Sequence, residues 1–315
     1  MSRPYLSIVV PCYRSGDWLA DLARRVKSAM ATREWTYELI LVNDSSPDMT
    51  WQAIQEIAGS DENVRGINLA FNTGQFRTTF CGIQEAKGEI VVTMDDDLQQ
   101  PPEEIPMLVD ALQADENIDA VLATFTVKKH RLFRNVGSAV MNTLFRLSYG
   151  KPKDIRSTTF RAMRSQLVKS ICQYSTVNPN INPLIFQTTQ KLSAVRVNHE
   201  DRKHGRSGYG IIKLFRLMTD NVLSVSTLPL KIVTSIGVLA AFGSVMLALF
   251  YLARYWVGGI EPNTGFMTQV LLINFFGGLT LLSIGLLGEY VIRIMEEVRG
   301  RPRFLVKDTT DTEAP

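Results

Sequence analysis

Along the first two hundred residues, apolar positions recur in two rhythms. Short, continuously apolar runs at 6–10, 38–42, 64–69, 89–94 and 120–124 alternate with stretches of helical period at 17–30, 51–58, 75–86 and 103–114. Runs this short and this apolar suit strands buried on both faces, as in a parallel sheet covered by helices. The alternation predicts a doubly wound, mostly parallel α/β sheet. Ligands in such folds bind beyond the carboxyl ends of the strands, so the residues that follow each strand carry the functional information.

After residue 227 the pattern changes. Residues 232–253 hold no charge between Lys231 and Arg254, and residues 262–288 hold none between Glu261 and Glu289. About twenty apolar residues cross a bilayer core as a helix, and soluble helices rarely stay apolar on every face for so long. Two transmembrane helices are predicted, at about 231–254 and 264–290. Gly237, Gly243, Ser244, Gly277, Gly278 and Gly285 would allow close helix contact in lipid, in a hairpin or in a homo-oligomer. Basic residues flank both outer ends (Lys213, Arg216 and Lys231; Arg293, Arg299, Arg301, Arg303 and Lys307) and are sparse in the connection. The positive-inside bias therefore puts both termini in the cytoplasm of a multi-pass membrane protein.

The expected organisation is a cytosolic catalytic domain at 1–208, an amphipathic juxtamembrane helix at 209–228, the membrane hairpin within 229–298, and a cytosolic tail at 299–315. The 45% hydrophobic content is ordinary and hides this division. Three scattered cysteines, Cys12, Cys81 and Cys172, form no CxxC pair and fit a reducing compartment, with Cys12 and Cys81 read as small core residues. The first residues are too strand-like for a signal peptide. Residues 196–216 are strongly basic and suit anionic headgroups or a lipid phosphate, or simply signal topology. Residues 128–146 are a second basic, apolar stretch, equally suited to membrane contact or to an ordinary packed helix. His130, His199 and His204 show no metal spacing.

The strand ends are polar and distinctive. Pro11-Cys12-Tyr13-Arg14 follows the first, Asn43-Asp44-Ser45-Ser46 the second, Asn72-Thr73-Gly74-Gln75 the third, and Asp95-Asp96-Asp97-Leu98-Gln99 the fourth. The absence of GxGxxG after the first strand, and of GxxxxGK[ST] anywhere, disfavours dinucleotide oxidoreductases and P-loop NTPases. Three consecutive carboxylates repel one another unless a cation neutralises them. A hard divalent ion, Mg²⁺ or Mn²⁺, takes oxygen ligands and leaves room for substrate phosphates. The plainer alternative is a solvated acidic turn before the helix that starts near Pro102.

At these residues the chain resembles a known family. SIVVPCY, ELILVNDSSPD, NTGQ and TMDDDLQQPPEEIP, in that order, match the family-2 glycosyltransferases of the GT-A fold. RKHGRSGYGIIKLFRLMTDNVLSVSTLPLKI and GLLGEYVIRIMEEVRGRPRFLV are similar to the polyisoprenyl-phosphate glycosyltransferases, the group of dolichol-phosphate mannose synthases and bactoprenol glucosyltransferases. The resemblance implies an inverting transfer from a nucleotide-sugar, UDP-linked by default, to undecaprenyl phosphate on the cytosolic face of a bacterial inner membrane. It implies no nucleic-acid partner. Pro11, Tyr13, Asp44, Asn72, Gly74, Asp95, Asp96 and Gln99 would line the donor site, with Asp44 accepting hydrogen bonds from the base. Asp97, then Asp95, would hold the metal. Asp97, Asp154 and Arg161 would be the catalytic set, and Arg202, Ser207 and Tyr209 would meet the acceptor phosphate.

This chain departs from the family around the donor. Arg14-Ser15 stands where the family usually has Asn-Glu, Gln75 replaces a common lysine, and Gly205-Arg206-Ser207-Gly208-Tyr209 differs from the usual juxtamembrane loop. Asp154 is about one residue off the spacing of the family's catalytic aspartate. Two other readings stand beside the main one: the same fold acting on another lipid or a polysaccharide, and a non-catalytic membrane scaffold for lipid-linked sugars. Only two spans and no QxxRW motif argue against a processive synthase.

Overall fold

The structure, a computed structural model, describes residues 3–125, 158–198, 228–257 and 265–311. It comprises two compact units, residues 1–211 with 300–315, and residues 212–299.

The first unit is built on one eight-stranded sheet. In chain order its strands are β1 (Leu6–Cys12), β2 (Tyr37–Asn43), β3 (Val64–Leu69), β4 (Ile90–Thr93), β5 (Ala120–Phe125), β6 (Arg161–Arg164), β7 (Leu192–Val197) and β8 (Val306–Thr309). In space they run β7-β5-β6-β4-β1-β2-β3-β8. The β3-β2-β1-β4 block is parallel, with Ile8 opposite Leu39 and Val92. Every residue of β1 is buried. Leu6, Ile8 and Val10 point to one side, where they meet Leu22 and Val26 of α1 (Leu19–Met30) and Leu108 and Leu112 of α4 (Ile105–Gln113). Val9 points to the other, towards Phe80 and Ile83 of α3 (Gln75–Glu85), Ile171 of α5 (Ser165–Cys172) and Phe186 of α6 (Ile181–Thr188). Helix α2 (Thr50–Ser60) adds Ile54 to the first side. Burying a side chain of this size contributes about 1.5–3 kcal/mol, so the alternation of β1 decides which helix goes to which face. Cys12 and Cys81 are core residues.

Two features differ from the predicted sheet. It is mixed, because β6 runs antiparallel to both β4 and β5 and lies between them. The RAMR sequence of β6 has no continuous apolar run to announce it, since two of its four residues are arginines with buried or half-buried partners. The segment expected only as a tail also folds back: β8 pairs antiparallel with β3 and closes that edge of the sheet. Gly66 of β3 makes this possible, because a Cβ there would lie 2.3 Å from Ile54 Cγ2 and 3.0 Å from Thr310 Cγ2.

The second unit holds α7 (Leu228–Trp256) and α8 (Gly265–Val298), 29 and 34 residues long and in contact with each other. At 1.5 Å per residue each exceeds the roughly 30 Å of a bilayer core. Among the described residues one stretch, Phe275–Val298, is long and apolar enough to cross a membrane, with mean hydropathy 1.7 and no burial. The glycines expected to join the helices do not do so within this chain: a Cβ at Gly237, Gly243, Gly277, Gly278 or Gly285 would meet nothing within 4 Å.

Candidate active site

Because β1 to β4 run parallel, their carboxyl ends open on one edge, and β6, running the other way, starts there. Five segments therefore converge: 13–16, 44–49, 70–74, 94–101 and 158–160. Four of the five carry a left-handed residue or its glycine equivalent: Arg14 (φ 56°), Ser45 (φ 50°), Gly74 (φ 85°) and Leu98 (φ 58°). Non-glycine residues in this region cost about 1–3 kcal/mol each and persist where the surroundings hold them. The hold is visible. Arg14 N–H donates to Ser46 Oγ at 2.8 Å, and the Leu98 side chain is buried in the core, pulling the acidic turn against the sheet.

The three aspartates of that turn have different surroundings. Asp95 Oδ2 accepts from Gln100 Nε2 (2.9 Å) and the Thr159 hydroxyl (2.7 Å), and its Oδ1 accepts from Gln75 Nε2 (2.6 Å). Asp96 turns towards the loop after β1. Its Oδ2 accepts from Tyr13 N–H (3.1 Å), and its backbone carbonyl accepts from the Trp18 indole (2.7 Å). Asp97 Oδ1 accepts from Gln99 N–H at 3.2 Å, the mark of an Asx turn. Burial pushes the Asp95 carboxyl up to about 6; the Thr159 hydroxyl opposes the shift and the Asp97 charge adds to it. Burial likewise pushes Asp96 up to about 6, against the Tyr13 N–H, with Asp95 and Asp97 adding to the rise. Charge is thus stored at this edge without a salt bridge to either group among the described ion pairs.

Among the described residues Arg161, 3% exposed, is a buried cation close enough to feel the charge of Asp95. It lies beneath the loop, donating to Thr93 Oγ1 (2.9 Å), Asn182 Oδ1 (2.6 Å) and the Thr158 carbonyl (3.3 Å). Burial lowers it to about 10, against the attraction of Asp95. Arg161 is therefore in place to position the loop from below.

The other expected donor-site residues fall into two groups. Tyr13 is 44% exposed, with the Arg14 guanidinium 5.5 Å from its ring centre. Pro11 is buried within β1. Asp44 is 4% exposed and engaged by the loop after β3: Oδ1 accepts from Thr73 N–H (2.7 Å) and the Thr73 hydroxyl (3.1 Å), Oδ2 from Gly74 N–H (2.9 Å). Asn72 donates to the Asp44 carbonyl at 3.3 Å. Asp44 thereby ties the second strand end to the third, and Gly74 supplies the positive φ that starts α3. Asp154, Arg202, Gly205, Ser207, Tyr209, the three histidines, the basic stretch 128–146 and the amphipathic segment 209–227 lie outside the described residues. Sequence reasoning did not single out Gln100, Thr159 or Trp18 as site residues; neutral side chains beside a run of acids give no pattern that marks them.

Hard oxygen donors grouped at an open strand-end edge suit a divalent cation. Among the described residues no three His, Cys, Asp or Glu side chains form a ligand cluster, so one or two carboxylates would have to be completed by substrate oxygens. A cavity of about 440 Å³ lies at the opposite edge of the sheet, lined by Arg3, Tyr5, Glu89 and Arg164. Its arginines donate to backbone carbonyls of Lys87, Ile118, Leu112 and Asp115, and none of the residues that line it belongs to the acidic loop.

Comparison with known proteins agrees with this geometry. Residues 7–172 match the profile of Glycosyl transferase family 2. The chain is 33% identical over 313 residues to the undecaprenyl-phosphate 4-deoxy-4-formamido-L-arabinose transferase of Edwardsiella ictaluri, covering 99% of this chain and 96% of that protein. It is 34% identical over 321 residues to the protein of the same name from Shewanella sediminis, covering 98% and 94%. The fold is similar to glucosyl-3-phosphoglycerate synthase of Mycobacterium tuberculosis, solved with Mn²⁺, UDP and glucosyl-3-phosphoglycerate. There the TM-score is 0.51 at 16% identity, over 70% of this chain and 78% of that one.

Proposed function

The chain belongs to glycosyl transferase family 2, and from that premise we propose that it moves a sugar from a nucleotide-sugar to the phosphate of undecaprenyl phosphate with inversion at the anomeric carbon. The observation that carries this is the acidic loop 95–97, held at the open sheet edge by buried polar partners in a chain related over its full length to undecaprenyl-phosphate sugar transferases. A phosphate oxygen attacks the anomeric carbon, a new carbon–oxygen bond forms, and the bond to the diphosphate breaks.

The residues divide the work. Tyr13 and the turns at 44–46 and 72–74 form the donor side, with Asp44 fixing their mutual spacing. Asp97, with Asp95, would hold Mg²⁺ or Mn²⁺. When bound, such an ion neutralises charge on the departing diphosphate. Arg161 and Asp95 set the orientation of the loop. Arg202, Ser207 and Tyr209 meet the lipid phosphate. Because a phosphate monoester has a second pKa of about 6, the nucleophile is already largely ionised at neutral pH, and positioning outweighs general-base help from Asp154.

The same reading places α7 and α8 across the inner membrane of a bacterium as a hairpin, both termini cytosolic. The apolar Phe275–Val298 stretch and the exposed apolar faces, among them Leu239, Phe242, Leu282 and Leu287, support it. Glycines facing outward on both helices support self-association there.

The test is turnover of detergent-solubilised protein with a panel of nucleotide-sugars and undecaprenyl phosphate, the lipid-linked product being weighed by mass spectrometry. A product of lipid phosphate plus one sugar is expected, with Asp97→Asn losing more activity than Asp154→Asn. Transfer to diacylglycerol or polysaccharide instead would overturn the acceptor, and equal or reversed losses would overturn the assignment of roles.

A further inference from the structure

Gln100 is 5% exposed and closes a ring on Asp95. Its Oε1 accepts from Asp95 N–H at 3.0 Å. Its Nε2 donates to Asp95 Oδ2 at 2.9 Å and to Thr159 Oγ1 at 2.7 Å. The Thr159 hydroxyl in turn donates to the same Oδ2 at 2.7 Å. The network continues inward: the Thr159 carbonyl accepts from Thr93 Oγ1 (2.6 Å), which accepts from Arg161 Nε (2.9 Å).

The two oxygens of Asp95 are therefore held differently. Oδ2 is gripped by two donors that also grip each other. Oδ1 meets one exposed side chain, Gln75, whose single hydrogen bond an arriving ligand can displace. A carboxamide suits this role because it offers an acceptor to the backbone N–H and two donors to oxygens. An aspartate or glutamate in its place would set another carboxylate against Asp95.

We propose that Gln100, together with Thr159, is a positioning residue for the donor and its cation: the pair locks Asp95 Oδ2 inward, so that Oδ1 and the turn leading to Asp97 keep one orientation when a metal–diphosphate complex arrives. The inference rests on the reading of the acidic loop given above and adds residues outside the aspartate run. Neither residue is assigned a contact with substrate. Their effect passes through Asp95.

Binding of UDP in the presence of Mn²⁺, followed by calorimetry on the full-length protein in detergent, tests it. Gln100→Met keeps the volume and removes the hydrogen bonds; Thr159→Val removes the hydroxyl and Thr159→Ser restores it. Outer partners of a metal site are worth about 10–100-fold in affinity, so the first two variants are expected to weaken binding by that factor and Thr159→Ser to stay close to wild type. The KM for undecaprenyl phosphate is expected to hold while kcat falls, a split that general loosening of the fold does not give. Wild-type affinity in both Gln100→Met and Thr159→Val would overturn the proposal; should Gln100→Met not fold, the Thr159→Val and Thr159→Ser pair decides it alone. Asp97→Asn separates the levels. If that variant binds Mn²⁺ and UDP as wild type does, the reading of the loop fails; if it loses binding while Gln100→Met and Thr159→Val both keep it, only the positioning role fails.

Discussion

Asp95 and Asp96 are carboxylates kept at the end of a buried strand with neutral partners, and both have pKa values pushed up to about 6 from an ordinary 3.8. A raised carboxylate pKa means that the folded chain binds the proton more tightly than the unfolded chain. The resulting stabilisation is complete below about pH 4 and is lost as pH rises through about 6. In metal chelator the wild-type protein should therefore lose stability across that window relative to Asp95→Asn/Asp96→Asn. Thermal melting of both proteins at intervals between pH 4 and 7.5 checks it. A difference that stays constant with pH would show that these carboxyls do not titrate in the fold as assigned. Arg161 does not cancel the charge because Thr93, Thr158 and Asn182 hold it beneath the loop.

Among the elements, β8 does the least expected work. It returns from beyond α8 to cover the exposed edge of β3, an edge that would otherwise present unpaired backbone groups. Side chains join the ladder: Asp308 Oδ2 accepts from Asn68 Nδ2 (2.9 Å), and Asn68 Oδ1 accepts from Asn43 Nδ2 (2.8 Å), at the end of the strand that leads into Asp44. Ahead of β8, Phe304 packs on the face of the sheet that holds Val9 and Phe80, and the Arg303 guanidinium sits 4.5 Å from the Phe80 ring centre. Phe304 is half-buried, so Phe304→Ala is expected to cost on the order of 1–2 kcal/mol, below the 3–5 of a fully buried phenylalanine. A chain ending at residue 302 is expected to lose more and to aggregate. Urea unfolding followed by tryptophan fluorescence, with light scattering, checks both. Wild-type stability in the truncated chain would show that the edge needs no cover.

At the scale of the whole molecule, a mixed α/β unit carries the candidate site and the other unit holds a pair of long apolar helices. On the proposed topology, which puts the connection at 258–264 outside and both termini inside, Asn263→Cys in intact spheroplasts should react with a membrane-impermeant maleimide. The natural Cys12, Cys81 and Cys172 should react only after lysis, if at all. Labelling of a cysteine placed at Thr312 in intact spheroplasts would overturn the topology.

The β1-to-β4 core, the helices between those strands, the strand-end polar residues and the two apolar stretches were all legible in the sequence. Each is written locally, as an apolar period or as a polar run at the end of one. The acidic loop was legible for the same reason, since three adjacent carboxylates stand out in any arrangement. What the tertiary structure decided depends on contacts between distant segments. It placed β6 between β4 and β5, and so brought Thr159 and Arg161 against a loop some sixty residues earlier. It joined Asp44 to the 72–74 turn, returned residues 306–309 to β3, and turned the glycines of α7 and α8 away from the contact between the two helices. Hydrophobic periodicity specifies which face of an element is buried. It does not specify which neutral donor will satisfy a buried carboxylate, because that depends on which segments the sheet order sets side by side.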